Sequence, residues 1–571
     1  MNHPVRRSVL RPALVTALAL ACSVTLTSCT AGPAAGPGRA TTAPASADPA
    51  SRPGLKPFYG QRLRWTDCDT EGYACARLTV PRDYDDPGNG ETFVLPVARA
   101  EAGKPDRRVG SLVYNPGGPG AAGVRSLEEG MDEAFGRAAR DRFDIVAFDP
   151  RGVGASVPAL TCTASDDEAE GEGEEEEEAA EPPASEGVAP LHPRTEEERT
   201  AADEGARAAA EDCERHSGGL LRHVGTQDAA RDLDVLRAAL GERELTYLGW
   251  SYGTSLGTAY AELFPRRVRA MVLDGAIDPS LDWSERVLSQ SAGFRRSVDD
   301  YADHCAEVAG DSCPADSPDA IRALIERLYA RAEREPLPVS EDSSYAEYGG
   351  MDATAVLDAV SMAMYTPEDQ WEPLSRALAA ADAGDATELG ALDEEEPAPA
   401  EEGPADEDPA AEDTGDGTDE DGGDDDGPAA DEPPVDNEGA ALTAVNCLDV
   451  PHPRDLDAYW DALPRAERAA GVYGTAGVTA ELTCRGWPSG ARTPHRVDAD
   501  GVVPVLVVGT TGDPSTPYEE AVSLADQFPG GMLLTYEGMG HTAYGRGDAC
   551  VTEQVDAYLV GLKPVRPGAT C

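Results

Sequence analysis

Short, nearly continuous apolar runs alternate along this chain with stretches of helical spacing. Phe93 to Ala98, Gly110 to Tyr114, Phe143 to Phe148, Leu245 to Leu248, Val268 to Leu273 and Val502 to Val508 read as strands. Runs of this kind belong to strands covered on both faces. Between them, Asp228 to Leu240 sets Ala229, Leu233, Leu236 and Leu240 on one stripe, which predicts an amphipathic helix. The alternation gives an α/β fold with an open, mostly parallel sheet, right-handed crossovers and helices on both faces. After Asp278 the period changes, and Trp283 to about Leu389 reads mainly helical, including Ala320 to Ala332 and Ala353 to Met364. The α/β pattern is expected to resume near Ala441. Residues 281–440 are therefore read as a helical lid inserted between sheet-forming segments 55–280 and 441–571. A separate terminal domain would leave unexplained the strand and the reactive-looking residues that follow.

The N-terminus adds a location. Arg6, Arg7 and Arg11 precede the apolar run Ala13 to Leu26, which ends in Leu26-Thr27-Ser28-Cys29. The run is short for a membrane span and carries its charge on one side, as an export signal over residues 1–28 does. Its last four residues resemble a bacterial lipobox, which assigns lipidation to Cys29 and a place on the outer face of the cell membrane. A plain secretory signal with an incidental cysteine is the alternative. Residues 29–54, rich in Ala, Gly, Pro and Ser, suit a flexible tether. Of 12 cysteines, Cys22 leaves with the signal and Cys29 carries lipid. The even remainder, in an exported chain, predicts disulfides. Sequence order suggests local pairs: Cys68 with Cys75, Cys162 with Cys213, Cys305 with Cys313, Cys447 with Cys484, and Cys550 with Cys571. Order alone does not fix connectivity. No Cys and His set has the close spacing of a structural zinc site.

The formal net charge is −59, from 106 acidic and 47 basic residues. Much of the excess lies in low-complexity tracts at about 166–186 and 392–438, which are too poor in large apolar residues to repay ordering. This balance argues against nucleic acid as a partner. Acidic solubilising insertions are favoured over calcium sites, because no loop has regular ligand spacing.

The chemistry centres on Gly249-Trp250-Ser251-Tyr252-Gly253, directly after an apolar strand and before helix-compatible Thr254 to Phe264. A serine between glycines at a strand-to-helix turn is a nucleophile elbow, with glycine needed where the turn is tightest. Downstream, Gly509-Thr510-Thr511-Gly512-Asp513-Pro514 places Asp513 beyond a strand's carboxyl end, where catalytic acids gather in such sheets. Leu533 to Tyr536 then leads into Gly538-Met539-Gly540-His541-Thr542. Imidazole has the basicity to take a serine proton, and a carboxylate fixes its tautomer. Asn115-Pro116-Gly117-Gly118-Pro119-Gly120 supplies a backbone loop for a developing oxyanion, with Gly118 as one N–H donor and Tyr252 as the other. Nothing after it supplies the Lys-Ser/Thr of a nucleotide-binding loop. Asp149-Pro150-Arg151-Gly152-Val153-Gly154-Ala155-Ser156 reads as architecture, with Arg151 paired to a carboxylate. Asp149 is a rival acid, disfavoured because it precedes the nucleophile.

With these landmarks the chain resembles the secreted α/β-hydrolase peptidases of the tripeptidyl aminopeptidase group, related to proline iminopeptidases. Asn115 to Gly120, Asp149 to Ser156, Gly249 to Thr254, Asp513 to Pro517 and Gly540-His541 carry the resemblance, with Cys447 to Cys484 and Trp487 marking a TAP-like C-terminal region. The resemblance implies an α/β-hydrolase fold, a Ser251–Asp513–His541 triad, Gly118 in the oxyanion loop and no cofactor. It also implies exopeptidase action on short peptides with a free N-terminus, whose amine a carboxylate in the cap binds; the sequence does not single out that residue. The His-Gly-Gly-Pro-Gly form of iminopeptidases is absent here, which weakens transfer of their proline specificity. A carboxylesterase or lipase of the same fold, and a non-catalytic surface-binding lipoprotein, are the alternatives.

Overall fold

Continuous burial along the central strands gives the sheet two packed faces. The computed structural model describes residues 48–162, 191–392, 437–487 and 493–571. The export signal, Cys29 and most of both acidic tracts lie outside the described residues. Strands β1 (Thr66–Asp67), β2 (Tyr73–Pro81), β3 (Thr92–Ala100), β4 (Gly110–Asn115), β5 (Phe143–Phe148), β6 (Leu245–Trp250), β7 (Val268–Asp274), β8 (Leu506–Gly512), β9 (Met532–Met539) and β10 (Ala569–Thr570) form one sheet. Its order is β1-β2-β3-β5-β4-β6-β7-β8-β9-β10. The β1–β2, β2–β3 and β3–β5 pairs are antiparallel, and every pair from β5 to β10 is parallel. Val113, Val146, Tyr247, Met271 and Val507 enter the core on one face. Leu112, Tyr114, Ile145, Leu248, Val272 and Val508 enter the core on the other. Period-two alternation sends neighbours to opposite sides.

Helices α1 (Glu196–Ser217), α2 (Thr226–Ala239) and α3 (Gly253–Leu263) precede the change of period. Beyond it come α4 (Trp283–Val308), α5 (Pro318–Ala332), α6 (Ala353–Met362) and α7 (Pro367–Ala383). Asp282 and Glu285 form a reciprocal capping box that starts α4. These helices bury Tyr301, Leu328, Val360, Trp371 and Leu378 in a core of their own.

Two expectations need correction. The sheet does not resume near Ala441: α8 (Glu438–Asp449), α9 (Asp457–Ala470) and α10 (Val472–Ala480) follow, and the next strand starts at Leu506. The α9 stripe of Tyr459, Trp460, Leu463 and Ala466 requires an apolar partner, which Val287 of α4 supplies. Only α8 joins the sheet's own core, through Ala441, Ala444, Cys447 and Leu448. Second, the strand expected at Val502 begins four residues later. Pro504 has no N–H for the ladder, and its carbonyl accepts from the Tyr558 hydroxyl at 2.7 Å. The last described helices are α11 (Tyr518–Gln527) and α12 (Ala549–Gly561). No described helix is long and apolar enough to cross a membrane.

Five disulfides join Cys68 to Cys75, Cys162 to Cys213, Cys305 to Cys313, Cys447 to Cys484, and Cys550 to Cys571. Local pairing therefore holds throughout. Such bonds persist in oxidising compartments, which fits an extracellular or secreted protein.

Candidate active site

The nucleophile elbow forms where fully buried β6 runs into α3. Ser251 has φ +53°, in the left-handed region, at a cost of about 1–3 kcal/mol for a non-glycine residue. Its N–H donates to the Asp274 carbonyl at 2.9 Å, and its carbonyl accepts from the Thr254 amide at 2.9 Å. The flanking glycines meet different obstacles. A Cβ on Gly249 would stand 2.2 Å from the Gly253 carbonyl oxygen, whereas one on Gly253 would stand 2.8 Å from that of Asn115. The elbow is thus closed by its own turn and by the loop from β4.

That loop lies against the serine. A Cβ on Gly117 would stand 3.0 Å from Ser251 Cβ and 3.6 Å from its Oγ. Gly117 supplies the clearance, a role the sequence reading did not assign. The Gly117 N–H donates to Asn115 Oδ1 at 3.2 Å. Among the described residues the N–H groups of Gly118 and Tyr252 have no hydrogen-bond partner, and Tyr252 stands at the N-terminus of α3, where amides point outward. A Cβ on Gly120 would stand 2.6 Å from the Glu438 carbonyl oxygen, so the start of α8 packs on this loop.

Asp513 directly follows β8, and His541 stands two residues past β9. The His541 Nδ1 lies 2.9 and 3.0 Å from the two Asp513 carboxylate oxygens. Asp513 Oδ1 also accepts from the amides of Ser515 and Thr516 at 3.0 and 2.8 Å, and Oδ2 from that of Thr542 at 3.1 Å. These bonds hold the carboxylate and assign the Nδ1–H tautomer, leaving Nε2 as the basic atom. Nε2 is buried and has no hydrogen-bond partner among the described residues. Ser251 Oγ and Nε2 thus share no hydrogen bond here. Catalytic contacts of this kind often tighten only with substrate.

Other groups steady the histidine. Its N–H donates to the Tyr365 carbonyl at 2.8 Å, and the Tyr365 ring meets the imidazole edge-on at 4.9 Å. Tyr365 lies between α6 and α7, so the helical layer touches His541 itself. Arg546 donates to the carbonyls of Met539 and Thr542 and pairs through two nitrogens with Glu368 of α7. Thr516 Oγ1 lies 3.4 Å from Nδ1. Asp274, at the end of β7, is fully buried. It accepts from the amides of Ala543 and Tyr544 at 3.1 and 2.7 Å. Burial pushes its carboxyl up to about 7, against the pull of those amides. Sequence gave a faint signal for it, a carboxylate closing the run Val268 to Leu273.

The rival acid is occupied elsewhere. Asp149 accepts from the amides of Val124 and Ala155 at 2.9 and 3.1 Å, and burial pushes it up to about 6. Arg151 is wholly buried and bonds both oxygens of Asp232 at 2.7 and 2.6 Å, an architectural ion pair. The three groups of Cys, His and acidic residues close enough to hold a metal among the described residues all contain disulfide-bonded cysteine. Bonded sulfur offers no thiolate ligand.

The sequence matches the TAP-like protein family over residues 470–571 and the alpha/beta hydrolase fold family over residues 110–355. It is similar to Serine protease Hip1 of Mycobacterium tuberculosis, at 34% identity over 90% of this chain and 92% of that one. Tripeptidyl aminopeptidase of Streptomyces lividans is 32% identical over 89% of this chain and 86% of its own. Carboxylesterase B of Mycobacterium tuberculosis is 34% identical over 88% and 89%. With relatives matched almost end to end and the elbow raised from a mostly parallel sheet, the chain belongs to the α/β-hydrolase family, as a serine hydrolase with a TAP-like C-terminal region.

Proposed function

We propose that this chain is a serine exopeptidase that releases short N-terminal peptides from extracellular peptides. The observation that carries the triad is the Asp513–His541 pair, whose Nε2 is left free in the fold that raises Ser251 on its elbow. In this reading His541 takes the Ser251 proton as Oγ attacks the scissile carbonyl. The N–H groups of Gly118 and Tyr252 receive the oxyanion, each worth about 3–4 kcal/mol in the transition state. His541 then protonates the leaving amine, and water repeats the sequence on the acyl-enzyme. The helical layer restricts substrates to short peptides, and lipidated Cys29 would hold the enzyme at the membrane surface.

The peptidase names among the relatives favour an amide substrate, but the carboxylesterase relative is just as similar, so an esterase is the second reading. A panel of free and N-acetylated peptides of increasing length, set beside short acyl esters, separates them. We expect cleavage of free-amine peptides at a fixed distance from the N-terminus and marked loss on acetylation. Equal turnover of acetylated peptides, or preference for esters, would remove the exopeptidase assignment. Ser251→Ala and His541→Ala are each expected to lower kcat by about 10⁴-fold or more. Near-normal hydrolysis in either would remove the triad.

A further inference from the structure

Nucleophile and base sit on loops that follow different strands, and no hydrogen bond joins their side chains. One residue bonds both loops. The Asp274 carbonyl accepts the Ser251 N–H at 2.9 Å. Its carboxylate accepts the amides of Ala543 and Tyr544, the second and third residues after His541. Asp274 itself is held on both sides, because β7 lies between β6 and β8 in the parallel sheet. Thr542, between His541 and these amides, has φ +63°, a conformation a β-branched residue keeps only when its surroundings impose it. Gly275, with φ +68°, completes the fit: a Cβ there would stand 2.9 Å from Thr542 Cγ2 and 3.2 Å from His541 Cε1.

We propose that Asp274 is a positioning residue that sets the register between Ser251 and His541, by anchoring the histidine loop with its side-chain oxygen and the elbow with its carbonyl. It touches neither substrate nor reacting atoms and acts through the two loops. The inference rests on the proposed triad. What matters is the acceptor rather than its charge: Oδ2 alone already lies within reach of both amides. One correctly placed amide oxygen serves as well.

The test compares Asp274→Asn, which keeps an acceptor, with Asp274→Ala, which removes it. Each is assayed for kcat, KM and the rate of labelling by a serine-directed fluorophosphonate, with Ser251→Ala as reference. The alanine variant is expected to lose about 10- to 100-fold in kcat and labelling rate with KM little changed, the rate equivalent of the two amide hydrogen bonds it removes. The asparagine variant is expected to stay within about threefold of the unsubstituted enzyme, since Asn supplies an oxygen at the same place. Undiminished rates in the alanine variant, or equal losses in both variants, overturn the proposal. If the alanine variant does not fold, the asparagine variant decides alone: retained labelling and turnover support the proposal, and a loss matching that of His541→Ala overturns it. A fully labelled Ser251→Ala protein would instead remove the triad beneath it.

Discussion

One methyl group tests the elbow. On Gly249 it would stand 2.2 Å from the Gly253 carbonyl oxygen, which is backbone and has nowhere to go. Gly249→Ala is expected to destabilise the fold by about 1–3 kcal/mol through overpacking and to depress turnover, both read from a thermal melt and a rate assay. Gly205→Ala, in α1 with no atom within 4 Å of the new Cβ, is the control, and should stabilise by about 0.5–1 kcal/mol. Asp274 makes a prediction of another kind. Its carboxyl ionises at about 7 in the fold, against 3.8 ordinarily. Native chains therefore keep a proton that unfolded chains release between those values. This contribution is full below pH 3.8 and is lost as pH rises through about 7. Asp274→Asn should gain stability relative to the unsubstituted protein as pH climbs from 4 to 8, measured by urea denaturation; a constant difference would refute the buried-carboxyl account. The residues legible from sequence were those whose chemistry needs a local motif, as with Ser251 between its glycines. Asp274 was not, because its partners are backbone amides about 270 positions away, and an amide leaves no mark in the sequence.

Strands buried on both faces were legible as unbroken apolar runs. Strands β4, β5 and β6 are covered along their whole length and stood out as apolar runs. β2 did not, because Arg77 is exposed between buried Ala76 and Leu78, and Tyr73 to Cys75 at its start are only half covered. β8 was shifted because Val502 to Val505 looks like a strand but contains Pro504, while Gly509 to Gly512 looks like a loop yet extends the ladder. The same masking hid how the helical layer meets the base, since that contact runs through one residue between two helices, Tyr365. Arg546 and Glu368 allow it to be probed. The Arg546 side chain is 14% exposed and bonds two carbonyls flanking His541, whereas Glu368 is 48% exposed. Exposed ion pairs contribute about 0–1 kcal/mol, while a covered carbonyl that loses its donor costs about 1–3 kcal/mol; this applies to Met539, since the Thr542 carbonyl also accepts from Thr510 Oγ1 at 2.8 Å. Arg546→Ala should therefore lower both melting temperature and kcat, and Glu368→Ala should barely move either. Equal effects would mean that the layer holds His541 through the ion pair itself.

At the scale of the molecule, charge is the least ordinary property. A net charge of −59 leaves a strong negative field around the protein in dilute salt. Its range shrinks from about 30 Å at 0.01 M salt to about 8 Å at 0.15 M. A substrate peptide with a protonated N-terminus and an amidated C-terminus is drawn in by this field, and its acetylated, neutral counterpart is not. For free-amine peptides kcat/KM is then expected to fall about 3- to 10-fold across that salt range, mostly through slower capture. Over the same range kcat should stay level, because turnover of bound substrate does not depend on long-range capture. Neutral esters supply the comparison, and their kcat/KM should scarcely change. A peptidase working on cationic ends and an esterase working on neutral ones thus part company in a salt titration, before any substrate is identified. A flat response for free-amine peptides would show that local groups, rather than the acidic excess, govern approach to Ser251.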